Sequence, residues 1–410
     1  MLRFTQLHKL LFQAFSDSSA TRLTQTVQRL AIAGTAASLA LILLGSSIVE
    51  GFQWEIPQRM GQFWGHLQVR SLRQGEATVV SPLRINQERL NHFQKLPGVQ
   101  RVSAVVLAPG LGRSADGMEG ILLKGVNNQD DLKFYQAQLS SGQIPKWGPC
   151  EVTNEILIPQ SVASALRVRT GDDLSFYFMQ QPVRMRKFRV IGIFEMPMQN
   201  ELGRPVAVVH QSILRKLIGW SATAGGHLEL ELDDHRKMLL VRNEVEKLLS
   251  VEEECLTLEE QMPALFEWLR FFDTNRMVLM ILLVGVGAVN LLSALFILIL
   301  ERQQSIGILQ TLGLRPAQLS QTLVFLGMRL VIKGMLIGNL GMGLIYMAQN
   351  RWKFFRLDPE SYYLDFVPLK LDIPTWFMIN GGAMAIAFFL LWISAFLLTR
   401  RYSDQNLQFT

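Results

Sequence analysis

Four long apolar runs, arranged as one and then three, constrain this chain more than any other feature. Leu30–Val49 stands alone, a mostly polar stretch follows, and Met277–Leu300, Leu330–Met347 and Pro374–Leu398 come after it. As a helix each can cross a hydrocarbon core of about 30 Å, where a backbone satisfies its polar groups only as a helix or a closed barrel. The expected fold is membrane α-helical, with four transmembrane helices (1 + 3) and a large extracytoplasmic α+β domain inserted between helices 1 and 2. The boundaries read as an amphipathic cytoplasmic segment 1–29, span 30–50, an insert of two lobes 51–263, stalk and span 264–300, a cytoplasmic connector 301–320, span 321–348, an outer loop 349–373, span 374–399 and a tail 400–410.

An even number of spans puts both termini on one side and the insert on the other. Basic residues mark the cytoplasmic side, and Arg3, Lys9, Arg22, Arg29, Arg302, Arg315, Arg329, Arg400 and Arg401 place the termini there. The bias is modest, because the outer loop also carries Arg351, Lys353, Arg356 and Lys370, accompanied by four acids. The first run is too long for a signal-peptide core and reads as a retained anchor. Leu2, Leu7, Leu10, Leu11 and Phe15 before it suit a helix lying on the inner membrane face. A net charge of +6 fits an anionic membrane surface. The basic residues form no run and no aromatic-interleaved module, which argues against nucleic acid.

In the insert, Leu67–Ser71, Arg101–Ala108, Gly120–Gly125, Leu174–Met179, Phe188–Phe194 and His227–Leu232 read as strands. Asn86–Leu96, Asp130–Leu139, Pro159–Leu166, His210–Ile218 and Asp233–Leu249 read as helices, with Asn86 and Asp233 as N-caps and Pro159 in a first turn. Gly110–Gly120 reads as a glycine-rich loop. The two cysteines, Cys150 and Cys255, both fall in the insert and either form a disulfide or stand as separate small buried thiols. From Ala264 a helix runs straight into the second span, a rod of roughly 55 Å that outreaches the membrane. Glu267, Arg270, Asp273 and Arg276 recur on its wet part at three-residue spacing.

The connector Glu301-Arg302-Gln303-Gln304-Ser305-Ile306-Gly307-Ile308-Leu309-Gln310-Thr311-Leu312-Gly313 gives a short helix with an apolar edge of Ile306, Leu309 and Leu312, which Gly313 ends. A second helix restarts after Pro316. This connector, Gly51-Phe52-Gln53-x-Glu55 after the first span, Asn290-Leu291-Leu292-Ser293 in the second and the span order together resemble the FtsX/MacB-type ABC transporter permeases, in particular the lipoprotein-releasing LolC/LolE type. The resemblance covers essentially the whole chain. It implies a bacterial inner-membrane subunit whose connector, through Glu301, Arg302, Ser305, Ile306, Gly307, Ile308, Leu309, Leu312 and Gly313, seats on a cytoplasmic ABC ATPase dimer that binds ATP and Mg. A second permease, identical or paralogous, a lipoprotein substrate and a periplasmic lipoprotein carrier are the further partners it implies, with membrane lipid around them. Two features depart from the pattern. The hairpin from Met179 to Lys187 is short for a carrier-binding hook, and Ser305 stands where the family usually has Glu.

The chain has no G-x-x-x-x-G-K-[ST] loop, no H-E-x-x-H, no C-x-x-C and no G-x-S-x-G, so catalysis and a metal site are not expected of it. Gly110-Leu111-Gly112 lacks the third glycine of a dinucleotide fingerprint. An acylated substrate needs an adaptable apolar cleft, and Leu44, Ile48, Val49 and Phe52 of the first span with Met277 and Met280 of the second are placed to line one. Gly34 with Ser38, Gly334 with Gly338, and Gly381 with Ala385 are spaced for close helix packing. The reading that follows is a non-enzymatic permease subunit for lipoprotein extraction. The alternatives are an FtsX-like regulator of a cell-wall hydrolase, a MacB-like exporter, and a sensor without an ATPase.

Overall fold

The computed structural model describes residues 22–72, 82–127, 129–147, 153–178, 183–195, 204–221, 223–301, 316–358, 362 and 364–406. They form two compact units, one of 1–52, 270–356 and 366–410, the other of 53–269 and 357–365. Among the described residues four helices are long and apolar enough to span a membrane: α1 (Arg22–Trp64), α8 (Pro263–Glu301), α9 (Pro316–Trp352) and α10 (Ile373–Asn406).

In the membrane unit, Leu39 and Leu43 of α1, Leu291 of α8, Leu323 and Met335 of α9 and Leu391 of α10 are buried in one apolar core. A polar tie joins α9 to α10 inside it. The Asn339 amide donates to Asn380 Oδ1 at 2.8 Å, and its own oxygen accepts from Trp376 Nε1 at 2.8 Å. Such a tie fixes helix register where apolar contacts alone are permissive. By contrast α8 leaves Met277, Val278, Ile281, Leu282, Val286 and Val289 exposed.

The extramembrane unit is built on one long strand shared by two groups. The strands are β1 (Leu67–Ser71), β2 (Leu83–Arg84), β3 (Val99–Arg113), β4 (Met118–Val126), β5 (Leu139–Gly142), β6 (Glu155–Pro159), β7 (Asp173–Phe178), β8 (Arg184–Phe194), β9 (Val206–His210), β10 (Ala224–Gly225), β11 (His227–Leu232) and β12 (Glu253–Thr257). The first half of β3 pairs with β11, which pairs with β1, which pairs with β12. Its second half pairs with β4 on one side and β7 on the other. From there β4 pairs with β9, β9 with β6, β6 with β8 and β8 with β7, so six strands close into a ring. A closed ring leaves its strands without free edges. Its interior takes alternate residues such as Leu174, Phe176 and Phe178 of β7 and Phe188 and Val190 of β8, all buried. The two expected lobes therefore share β3 and belong to one unit.

Gly110–Gly120 is not a loop. Gly110 to Arg113 pair with β4, Leu111 to Arg113 pair with β7 as well, and only 114–117 turn the hairpin. A Cβ on Gly112 would lie 2.6 Å from Ile121 Cδ1, so close packing inside the ring, rather than a turn, explains the glycine. The helix expected from Asp233 begins as a 3-10 turn, His235–Lys237, capped by Asp234. Pro159 is itself the N-cap of the helix Gln160–Leu166. His227–Leu232 and Leu67–Ser71 form strands over the expected residues.

Past the expected span end near residue 50, α1 continues to Trp64, and its C-terminus lies buried in the extramembrane unit. A helix leaves its last four carbonyls without intrahelical partners, and here each has one. The Gly61 carbonyl accepts from Gly65 N–H at 2.9 Å, with Gly65 in the left-handed region at φ 78°. That of Gln62 accepts from Arg101 at 3.0 Å, that of Phe63 from the Lys124 ammonium, and that of Trp64 from Gln68 Nε2 at 3.0 Å. Two of these donors are cations at the negative end of the helix dipole. Both are paired in turn: Arg101 with Asp131 at 2.7 Å and Glu231 at 2.8 Å, Lys124 with Glu229 at 2.8 Å. Lys124 also faces the Phe63 and Trp64 rings. Burial alone would raise the Glu229 carboxyl, but the Lys124 ammonium and His227 together hold it below the usual carboxylate range.

Beside this lock His66 is fully buried, with Nδ1 accepting from Leu232 N–H at 2.9 Å. Burial, reinforced by the nearby His235, pushes its pKa from 6.5 down to about 4. Between those values the unfolded chain binds the extra proton, so folding stability is present above pH 6.5 and drains as pH falls toward 4, by about 3 kcal/mol in all. Unfolding midpoints recorded between pH 7 and pH 4 will fall more steeply for the native chain than for His66→Gln, which keeps an acceptor but does not titrate. Equal slopes would contradict this.

Candidate functional site

The outer part of the membrane unit holds the motif residues. Gly51 of the Gly-Phe-Gln-x-Glu stretch meets the 366–371 segment: a Cβ there would lie 2.1 Å from the Pro368 carbonyl oxygen. One turn earlier Ser47 donates to the Lys370 carbonyl at 3.0 Å, and the Ser47 carbonyl accepts from Lys370 N–H at 3.1 Å. Phe52 stacks on Phe272 of α8, ring centroids 5.4 Å apart, and Arg276 bridges Glu50 at 3.6 Å and Asp273 at 3.0 Å. In the extramembrane unit, Gln53 donates to the Leu269 carbonyl at 3.5 Å and Glu55 accepts from Arg59 at 2.9 Å. The motif thus supplies one close approach and a set of ties between the two helices that flank the insert.

Deeper in the unit, Asn290 of the Asn-Leu-Leu-Ser motif donates to the Ala31 carbonyl at 3.3 Å across the space left by Gly34, while Leu291 enters the core. Gly338 likewise admits the Ala36 backbone. Gly381 faces open space, so the third small-residue pair serves no helix contact within the described residues.

A small apolar cleft of about 60 Å³ lies between all four helices, lined by Leu39 and Ile42 of α1, Val284 and Gly287 of α8, Met335 of α9 and Leu390 of α10. Thr35 and Ser38 contribute its few polar atoms. None of the six residues expected to line an outer substrate cleft borders this inner one. Val49 and Phe52 are buried in helix contacts, Leu44 and Met280 pack on the core, Ile48 is half-buried and Met277 is exposed. The cleft lies on the same two helices, further along toward the cytoplasmic side in sequence. Hydropathy locates a span end but not the rotation of a helix about its axis; the small residues Ser38 and Gly287, facing one another, are the sequence signal for this inner cleft.

The connector residues Arg302, Ser305, Ile306, Gly307, Ile308, Leu309, Leu312 and Gly313 lie outside the described residues, as does the tip of the Met179–Lys187 hairpin. They are bracketed by Glu301, which ends α8, and Pro316, which begins α9. Cys150 also lies outside them, whereas Cys255 on β12 is a free buried thiol, its pKa pushed up to about 12 by burial. Such a thiol is inert.

The Gly51 approach yields a direct check. Gly51→Val will destabilise the full-length protein in detergent by about 1–3 kcal/mol through overpacking against Pro368, whereas Gly381→Val, set in open space, will leave the melting temperature unchanged. Indistinguishable variants would overturn the packing argument.

Comparison with known proteins agrees with this architecture. Residues 30–248 match the MacB-like periplasmic core domain, and residues 277–403 match the FtsX-like permease C-terminal family. The chain is 25% identical over 378 residues to a protein named lipoprotein-releasing system transmembrane protein LolC from Xylella fastidiosa, covering 87% of each. It is 22% identical over 392 residues to one named LolE from Haemophilus influenzae, covering 89% of this chain and 90% of that one. Among solved structures, the periplasmic region of MacB from Actinobacillus actinomycetemcomitans matches 50% of this chain and 94% of its own at 13% identity and a TM-score of 0.34. The extracellular domain of the transporter YknZ from Gram-positive bacteria matches 47% and 99% at 14% identity and a TM-score of 0.33. With one family covering more than half of its length and the other most of the remainder, the chain belongs to the FtsX/MacB-type ABC transporter permeases.

Proposed function

We propose that this permease extracts lipoproteins from the outer leaflet of a bacterial inner membrane, driven by ATP hydrolysis in a partner subunit. The observation that carries the reading is the similarity to lipoprotein-releasing permeases along most of both chains, insert and spans together. The physical arrangement supports it. Work done at the cytoplasmic connector enters α8 and α9, and α8 shares with α1 the Phe52–Phe272 stack and the Asn290 tie. The far end of α1 is held by Arg101 and Lys124, so a helix tilted in the membrane delivers its motion to the strands that hold its tip. An acyl chain leaving the bilayer needs apolar surface throughout, and the exposed face of α8 offers it. A second permease subunit meets that face in the assembled transporter.

Mild-detergent pulldown of the tagged chain, followed by mass spectrometry of proteins and acylated peptides, tests the reading. An ABC ATPase and triacylated lipoproteins will co-purify. Leu309→Glu or Gly307→Arg will weaken ATPase retention about thirty-fold, the effect of losing one interface hot spot. An ATPase accompanied by a cell-wall hydrolase and no lipoprotein would replace extraction by a regulatory role, and no ATPase at all would remove the connector's assigned role.

A further inference from the structure

The outer loop contains a run that neither the helix packing nor the transport reading uses, and that corrects the expectation of no aromatic-interleaved basic module: in Arg351-Trp352-Lys353-Phe354-Phe355-Arg356 three basic residues are interspersed with three aromatic ones, and all six positions are exposed. Trp352 is the last residue of both α9 and its apolar span, so the run begins where the chain leaves the hydrocarbon. Exposed hydrophobic side chains of this size in water would be costly, yet Trp352 is 73% exposed and Phe354 and Phe355 about half.

The run is held rigidly. Gln349, 1% exposed, donates to the carbonyls of Phe355 at 3.3 Å and Val367 at 3.0 Å and accepts from Phe355 N–H at 3.1 Å. Val367 N–H adds a bond to the Phe355 carbonyl at 3.0 Å, and Arg356 bridges Phe366. Lys353 takes the left-handed conformation at φ 47° and sets its ammonium 4.3 Å from the Phe366 ring centre. A buried glutamine that satisfies three backbone groups at once fixes a shape in advance, which lowers the entropic cost of binding.

Its cations have no carboxylate partner among the described residues: Asp365 faces Arg59 at 3.7 Å, and Asp372 is engaged in capping α10 through Thr375 at 2.9 Å. Attraction to the α9 dipole explains Arg351, in the last turn. It does not explain Lys353, Arg356 or the interleaved rings.

We propose that this run is a docking surface for the phosphate headgroups of anionic phospholipids in the leaflet on the insert's side. Aromatic rings settle at the interface between hydrocarbon and water, and planar guanidinium groups bind phosphate oxygens in pairs. The proposal accounts for the basic residues that weaken the chain's charge asymmetry: they anchor the outer end of α9 to lipid instead of marking the cytoplasmic side.

The test uses the full-length protein in nanodiscs of phosphatidylcholine and phosphatidylglycerol in equal parts, with retained lipids counted by native mass spectrometry. The native chain will keep phosphatidylglycerol selectively. The triple variant Arg351→Gln, Lys353→Gln, Arg356→Gln will lose at least one such lipid, its preference for phosphatidylglycerol over phosphatidylcholine falling about a hundredfold, roughly fivefold for each cation. Lys133→Gln with Lys247→Gln, on exposed lysines of the extramembrane unit, will retain the native count, separating a local site from general charge. Excess inorganic phosphate will not displace the lipid; displacement would make the site a free-phosphate site. Equal phosphatidylglycerol retention by the native chain and the triple variant, with unchanged melting, would overturn the proposal.

Discussion

A helix that ends inside protein must find partners for its last carbonyls, and the extramembrane unit is organised around meeting that demand for α1. Gly65, Arg101, Lys124 and Gln68 each take one carbonyl, and the two cations require buried acids in return. Those acids come from β11 and from the helix Gln129–Ala137, so the strand group around β3 is assembled partly as a counter-charge frame. Removing one member would strand a buried charge, a larger loss than the pair's net contribution. A single helix that starts in the membrane unit is thereby anchored at its tip by ionic and backbone bonds.

The membrane unit solves a different problem with different means. Lipid supplies no hydrophobic force between helices, so contacts depend on close approach and on a few polar bonds. Gly34 beside Asn290, Gly338 beside Ala36 and the Asn339–Asn380–Trp376 tie are of that kind. They leave α8 with the least inward packing, its apolar face turned outward. The helix that follows the insert is thus the one with the fewest internal restraints in its described span.

Much of the architecture was legible in the sequence, because span length and strand alternation are local signals. Leu67–Ser71 and His227–Leu232 follow from period-two patterning. The extension of α1 to Trp64 was not legible: Pro57 and the polar residues around it suggest an ending, while the partners that hold the tip come from residues as distant as Lys124. The ring was hidden for the same reason, since four of its six pairings join strands not adjacent in sequence. Gly110 and Gly112 read as a loop because glycine's absence of a side chain serves turns and tight interiors alike. The inner cleft was not legible, since the facing direction of α1 and α8 residues is set by packing against α9 and α10.

The most direct measurement is release itself. Proteoliposomes carrying the purified transporter and a radiolabelled triacylated lipoprotein are supplied with ATP and Mg, and the lipoprotein appearing outside the membrane fraction is counted. The account predicts release that requires ATP hydrolysis and stops in a variant whose ATPase partner cannot hydrolyse it. Hydrolysis that proceeds normally while lipoprotein stays in the bilayer would contradict it.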